Sequence, residues 1–318
     1  MSKGFFGLKS FIPVAGFLII LLILPGIIPR FYTYILTLIF VTGLLAMSLN
    51  LVVGHGGLFQ FHHCAFYGVG AYAFALILTK TSLPTWVAFV AGPLMAATVG
   101  LIIGWLCVRL NKLYFGMLQI ALGSLIWAVA FRWYSLTGGD DGIHGIPMPA
   151  LLDSINSAYY FILILLLICL IVLYLILKSP FGLTLRAIRD NPERCETVGV
   201  NVKLHKLAAI VIATFFAGIA GTLFVVVERS VFPDLLFWVF SLEVFIMCLL
   251  GGWFTFAGPI LGAAMMVSLR TFVGAYTEYW TLIVGVILIL LIFFLPEGVL
   301  GYLIRKSKGL RVGSAGEG

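Results

Sequence analysis

The sequence predicts an all-α integral membrane protein, a polytopic bundle of about ten transmembrane helices (eight to ten) with both termini in the cytoplasm. Of the 318 residues, 62% are hydrophobic and only 10% are charged, whereas soluble domains carry about 25% charged residues. The apolar runs approach the ~20 residues that a spanning helix needs, and they lack the alternation of a barrel strand. The third observation is the position of the basic residues, which gather between apolar runs of one parity.

The apolar runs divide the chain into a membrane domain, residues 1–304, and a small, basic C-terminal tail, residues 305–318, that is expected to be disordered. No cleavage site follows the first run, so it is expected to remain as a span. The ten candidate spans are residues 11–28, 32–53, 58–78, 85–106, 113–132, 158–177, 205–227, 237–251, 258–275 and 280–296.

The charges set the expected orientation. With the N-terminus inside, fourteen of the nineteen Lys and Arg residues fall on the inner side, as the positive-inside rule requires. The net charge of +7 therefore indicates membrane orientation and not nucleic-acid binding. The third span is rich in glycine and histidine, and the eighth and ninth are short. These three are candidates for broken or re-entrant backbone, which membranes tolerate only where protein or a cavity surrounds it.

The longest polar interval between two apolar runs is Ser179 to Lys206, which we call the arm. The positions of its proline and glycine residues predict two short helices, because Pro180 and Pro192 each follow a capping residue and Gly199 can end the second helix. Helical spacing places Phe181, Leu185 and Ile188 on one face. The residues alone leave two interpretations open, a solvated loop and a docking element for a soluble partner.

The arm sequence SPFGLTLRAIRDNPERCETVGVNVKLHKLAA, continuing into FFAGIAGTLF, resembles the main cytoplasmic loop of LivM-type permeases. These are the membrane subunits of branched-chain amino-acid importers driven by ATP-binding-cassette subunits. The resemblance implies that the arm docks on an ATP-binding subunit and moves with it. The docking residues implied are Arg186, Ala187, Arg189, Asp190, Glu196 and Gly199.

The run NLVVGHGGLFQFHHCAFYGVGAY, which starts at Asn50, places polar side chains at membrane depth. Histidine and glutamine are costly to expose to lipid, so they should face other helices or a wet path. A metal site is disfavoured, because adjacent helical residues point about 100° apart and no further ligands complete the set. An interior histidine cluster is the preferred interpretation. The residues concerned are His55, Gln60, His62, His63 and Cys64.

The end of that run resembles the FxGxGAY stretch of LivM-type permeases. His63 stands where the family carries its histidine, so the resemblance places His63 in the translocation path. The chain departs from the family at Leu58, Gln60 and His62, which leaves a wider helix approach or a different solute open. The matching residues are Phe66, Gly68, Gly70, Ala71 and Tyr72.

Two further motifs resemble the same family. The loop TGGDDGIHGIP, which starts at Thr137, resembles its TGGxxGxxGIP loop, and LGGWFTFAGPILG, after Glu243, resembles its LGGxGxxxGPxxG break. Glu243 is an acidic residue in an apolar run and therefore a functional candidate. Gln119 replaces a residue type usual in amino-acid permeases and is closer to urea-type permeases. The resemblance thus implies His63, Gln119 and Glu243 as polar contacts of the path.

The sequence lacks GxxxxGK[ST], HExxH and GxSxG, and its five cysteines form no CxxC pair. We therefore expect a transport subunit with no catalytic residues, metal site or cofactor of its own, whose ATP is bound by a partner. The resemblance implies a second homologous permease, two ATP-binding subunits, an external solute-binding protein, and the bacterial inner membrane. The outer acidic residues are the expected contact of the solute-binding protein.

The expected solute is a branched-chain or related hydrophobic amino acid. Two alternatives stay open at this stage. The same class of importer could carry urea, short amides or aromatic acids. A different class would be an intramembrane hydrolase built on His62, His63 and Glu243.

Overall fold

The structure is a computed structural model that describes residues 8–110, 112–294 and 298–307. Within that part of the chain it is almost entirely helical. Its α-helices are α1 (Leu8–Ile27), α2 (Arg30–Asn50), α3 (Cys64–Lys80), α4 (Thr85–Cys107), α5 (Lys112–Arg132), α6 (Tyr134–Thr137), α7 (Ile155–Lys178), α8 (Pro180–Asp190), α9 (Pro192–Thr197), α10 (Val202–Glu228), α11 (Trp238–Gly251), α12 (Gly258–Ser268), α13 (Trp280–Phe294) and α14 (Gly298–Ser307).

Short irregular elements complete the fold. Single π-helical turns extend α2 and α12, at Leu51–His55 and Leu269–Val273. A two-residue antiparallel ladder pairs β1 (Ile143–His144) with β2 (Ser230–Val231), an addition to the predicted all-α class. The 3-10 turns are Gly139–Asp141, Ala150–Leu152 and Pro233–Leu236.

Each of the ten apolar runs contains a helix. Five stretches of the described chain are long and apolar enough to cross a membrane, namely Arg30–His55, Thr85–Cys107, Leu113–Arg132, Ile155–Lys178 and Val202–Glu228. Shorter apolar helices include α3, α11 and the α12 segment through Val273. The chain is therefore a multi-pass helical membrane protein.

The third predicted span is broken, as its composition suggested. Helix α3 begins only at Cys64, and residues 56–63 before it are turn and irregular backbone. This segment is nevertheless mostly buried, with Gln60 and His62 inaccessible to solvent. Irregular backbone at membrane depth is tolerated here because the surrounding helices enclose it.

Helix α10 is the centre of the bundle and packs against α2, α3 and α4. Glycines permit the close approaches. A Cβ on Gly70 would lie 2.6 Å from the Cα of Gly218, and a Cβ on Gly100 would lie 2.1 Å from the hydroxyl of Thr214. Small residues on α3, α4 and α10 therefore let these helices pack closely.

The bundle has two distinct ends. At the arm end, α8 lies beside the π-turn of α2, and Gly298 at the start of α14 abuts Gly252. At the opposite loop end, the Arg229 guanidinium donates to the Asp153 carboxylate at 2.8 Å, and the Ile146 amide donates to the Arg229 carbonyl at 3.1 Å. Helix α10 has 27 residues, long enough to join the two ends.

The boundary at residue 304 falls inside a helix, since α14 continues to Ser307. Residues 308–318 of the predicted tail lie outside the described residues.

Candidate functional site

The arm folds as two helices. Helix α8 begins at Pro180 and α9 begins at Pro192. The Asn191 side chain caps α9 by accepting from the Arg194 amide at 3.0 Å, which is the role that its position predicts. Ser179 does not cap α8 with its side chain, because its hydroxyl donates instead to the Ile176 carbonyl at 2.6 Å. Gly199 follows α9 with φ of 89°, a conformation that favours glycine.

One face of α8 is packed onto the bundle. Leu185 and Ile188 are buried, and the Phe181 ring stacks on His205 of α10 with centroids 5.9 Å apart. The apolar face that helical spacing predicted is therefore the face that holds the arm in place.

Arg189 ties the arm to α2. Its guanidinium donates to the Gly54 carbonyl at 2.8 Å and to the Asp190 carboxylate at 2.9 Å, and it lies 5.3 Å from the Phe254 ring. Gly57, with φ of 64°, makes room for it, because a Cβ there would lie 2.5 Å from the Cγ of Arg189. The Arg189 guanidinium therefore directs hydrogen bonds from Nε, Nη1 and Nη2 to groups of this protein.

The predicted docking residues thus fall into two groups. Ala187, Asp190, Glu196 and Gly199 are exposed on the arm, whereas Arg186 and Arg189 are half-buried against the bundle. The Arg186 guanidinium donates to the Leu177 carbonyl at 3.3 Å. Sequence reasoning did not single out Val198, which is 82% exposed beside Gly199. An apolar residue next to the turn glycine was the available signal.

The predicted path residues do not form one cluster. His63 is fully buried, and its Nε2 is 2.8 Å from the hydroxyl of Ser48 on α2. Gln119 is buried on α5, and its side-chain carbonyl has no hydrogen-bond partner among the described residues. Both amide atoms of Gln60 are likewise buried and unpartnered among those residues. The interior of the bundle therefore holds polar groups that helix contacts alone do not satisfy.

His62 connects three elements. Its Nε2 is 2.7 Å from the Leu236 carbonyl and its Nδ1 is 3.2 Å from the Ile120 carbonyl. The ring is 1% exposed. The turn that contains Leu236 enters the bundle from the loop end, and residues 56–63 enter it from the arm end. The two irregular segments meet at His62, near the middle of α5.

Glu243 lies apart from these residues, in a crevice at the loop end. The crevice has a volume of about 680 Å³. The Glu243 carboxylate is 3.6 Å from the Arg270 guanidinium of the α12 π-turn. The Tyr34 hydroxyl donates to the carboxylate of Glu228 on the wall of the same crevice.

The residues of the hydrolase and metal interpretations have separate partners. His62 contacts backbone carbonyls, His63 contacts Ser48, and Glu243 pairs with Arg270. Within the described residues, no three His, Cys, Asp or Glu side chains are grouped so as to hold a metal ion.

Comparison with known proteins gives a consistent family. The model of the "Branched-chain amino acid transport system / permease component" family matches residues 31–292. The chain is 29% identical to the high-affinity branched-chain amino acid transport system permease protein LivM of Escherichia coli K12 over 330 residues, covering 94% of this chain and 77% of that protein. It is 24% identical to LivH of Salmonella typhimurium, covering 81% of this chain and 90% of that protein. No solved structure matches. Because the family model spans most of the chain, the chain belongs to the branched-chain amino acid transport system permease family.

Proposed function

We propose that this permease forms half of the translocation path of an importer for branched-chain or related hydrophobic amino acids. It pairs with a second homologous permease, two ATP-binding subunits and an external solute-binding protein in the bacterial inner membrane. The LivM and LivH relatives are each named as a permease protein of a high-affinity branched-chain amino acid transport system, which supports the two-permease assembly. The absence of GxxxxGK[ST] in the sequence supports a separate subunit that binds ATP.

The observation that carries this proposal is the two-sided packing of the arm. Its inner face packs on α10 and α2, while the outer face leaves Ala187, Asp190, Glu196 and Val198 open to water. A loop that only linked two helices would not need a packed inner face and an arginine bonded to the bundle. A rigid-body shift of a docked partner would reach the spanning helices through this contact.

Reconstitution tests the transport claim. Proteoliposomes that hold the whole complex should take up L-leucine in an ATP-dependent and binding-protein-dependent manner, and vesicles with this chain alone should not. Leucine uptake by the isolated chain contradicts the proposal.

Thiol protection tests the docking claim. Ala187→Cys is placed in a Cys195→Ser background, because Cys195 is the described cysteine that is not buried. Adding the ATP-binding subunit should slow labelling of the arm thiol and leave an Asp141→Cys control at the loop end unchanged. Equal labelling with and without the subunit argues against docking at the arm.

A second candidate solute is urea or a short amide. The observation that favours it is the buried carbonyl of Gln119, which has no partner among the described residues and could accept from an amide. Competition decides between the two, because excess urea should block labelled leucine uptake only if the path is built for amides.

A further inference from the structure

The crevice at the loop end is the right size for a small solute. It lies between α2, α10, α11 and the end of α12, and its volume of about 680 Å³ falls within the roughly 300–1,000 Å³ typical of small-molecule sites. Helices α10 and α11 are joined at this end by residues 229–237, so the crevice opens beside the outer loops.

The crevice walls carry charge of both signs. Three carboxylates line it, those of Glu228, Asp234 and Glu243, together with one guanidinium, that of Arg270. Glu243 is the most enclosed part of the ion pair, with 21% of its side chain exposed against 61% for Arg270. Acid is in excess, and the cation already has an acidic neighbour at 3.6 Å.

Most of the remaining wall is apolar. Leu38 of α2, Phe224 of α10, Phe240 of α11 and Val267 of α12 face the same volume. A site that combines an apolar wall with a few converging charged groups is suited to a solute that has one apolar part and one charged part.

We propose that this crevice binds the zwitterionic head of a hydrophobic amino acid by exchanging partners within the Glu243–Arg270 pair. The solute carboxylate takes the Arg270 guanidinium, whose planar fork suits a carboxylate. The solute ammonium takes the released Glu243 carboxylate together with Glu228. Glu243 and Arg270 each keep a partner of opposite charge through the exchange, which avoids the cost of leaving either one unpaired at low dielectric. The aliphatic side chain lies against Leu38 and Phe224.

The exchange distinguishes solutes. A neutral molecule such as urea offers no carboxylate to replace Glu243 and no ammonium to receive it, so the ion pair would stay closed. This inference rests on the proposed function. It adds where in this subunit the solute is recognised, which is the crevice, and how, which is through the Glu243–Arg270 pair.

A reporter thiol on the crevice wall tests the inference. Thr271→Cys lines the crevice and is made in the Cys195→Ser background, in the whole complex without the solute-binding protein. L-leucine should slow the modification of this thiol. Leucinamide, which lacks the carboxylate, and 4-methylpentanoate, which lacks the ammonium, should each protect about tenfold less effectively, as expected for the loss of one charged hydrogen-bond partner. A Leu151→Cys reporter at the same end, 72% exposed and outside the crevice, should be unaffected.

Arg270→Gln should abolish the difference between leucine and leucinamide. Arg270→Lys should restore part of it, because charge remains without the planar fork. The matched control is Arg132→Gln, at an exposed arginine of the same end outside the crevice. In this control L-leucine should protect the Thr271→Cys thiol as well as it does in the parent protein.

Failure of this inference and failure of the proposed function are distinguishable. Normal leucine uptake by the parent complex with no protection of the Thr271→Cys thiol overturns the crevice site and leaves the proposed function standing. Protection that is unchanged in Arg270→Gln overturns the partner exchange. Protection by urea together with no uptake of leucine overturns both proposals.

Discussion

His62 shows how much of this structure depends on the fit of single residues. Its two ring nitrogens face the carbonyls of Leu236 and Ile120. The ring lies directly over Gly123 of α5, where a Cβ would be only 2.3 Å from Nδ1. The ring cannot retreat without giving up its contacts, so this glycine is required by space and not by backbone conformation.

Gly123→Ala should therefore destabilise the protein. The added methyl must push His62 away from its carbonyl partners, and overpacking of this kind costs about 1–3 kcal/mol. Thermal unfolding of the purified chain in detergent gives the measurement, and a lower midpoint is expected. Gly285→Ala in α13 is the control, since a Cβ there meets nothing within 4 Å. Equal midpoints for the two variants would contradict the packing described for His62.

Residue contacts were only partly predictable from the sequence. The polarity of His62 and His63 at membrane depth predicted that they would be buried in the bundle, and both are. Their partners could not be predicted, because Ser48, Ile120 and Leu236 come from three different elements. Local patterns report which face is buried and give no information on what covers it.

At the scale of elements, the arm and α2 act as one unit. Arg189 of α8 donates to the carbonyl of Gly54, in the π-turn that ends α2. A π-turn leaves a carbonyl out of the ordinary helical ladder and is often found at functional sites. A motion of the arm would therefore be passed to the end of α2 through this bond.

Arg189→Ala should uncouple ATP hydrolysis from uptake while leaving the partner bound. The Gly54 carbonyl loses a charged donor, and the link between arm and helix weakens. The ratio of ATP hydrolysed to leucine transported by the whole complex should rise by about tenfold, as expected for loss of one charged hydrogen bond. Arg194→Ala, an exposed arginine on α9, should leave the ratio unchanged. An unaltered ratio in Arg189→Ala would show that the link carries no motion.

The elements themselves were largely predicted from short-range rules. Proline and glycine marked the starts of α8 and α9 and the turn after α9. The start of α3 was less well predicted, because Leu58, Phe59 and Phe61 extend the apolar run toward α2. The backbone of residues 56–63 stays irregular because neighbouring helices bury it and the Leu58 amide donates to the Val52 carbonyl at 3.1 Å. Burial by neighbouring helices is a tertiary condition that the apolar pattern alone does not reveal.

The whole molecule has an asymmetry between its two ends that can be tested in cells. The arm lies at one end, and the glycine loop of residues 137–147, joined to β2, lies at the other. An impermeant thiol reagent should label Asp141→Cys in intact cells and should label Ala187→Cys only after permeabilisation, both in the Cys195→Ser background. The positive-inside distribution of charge is the physical reason. Labelling of Ala187→Cys in intact cells would show that the arm faces the outside, where a cytoplasmic ATP-binding subunit could not bind it.

The arrangement of the whole bundle was the least predictable level. Ten apolar runs predicted helices, but no pattern brought Arg270 to Glu243 or Tyr34 to Glu228. Arg270 was not among the predicted path residues. Among the described residues of the crevice wall it is the one cation, and this becomes evident only once α2, α10, α11 and α12 are packed together.

The meeting of two irregular backbone segments at His62 has a bioenergetic consequence. A cell that stores energy as a proton gradient cannot tolerate a continuous thread of water through an idle carrier, since such a thread short-circuits the membrane. In this subunit the His62 side chain lies near the middle of α5, between the carbonyl of Ile120 on α5 and the carbonyl of Leu236 in the turn that enters from the loop end. On the proposed function, resting insulation of the membrane would depend in part on these two short contacts, because they close the interior of the bundle beside His62.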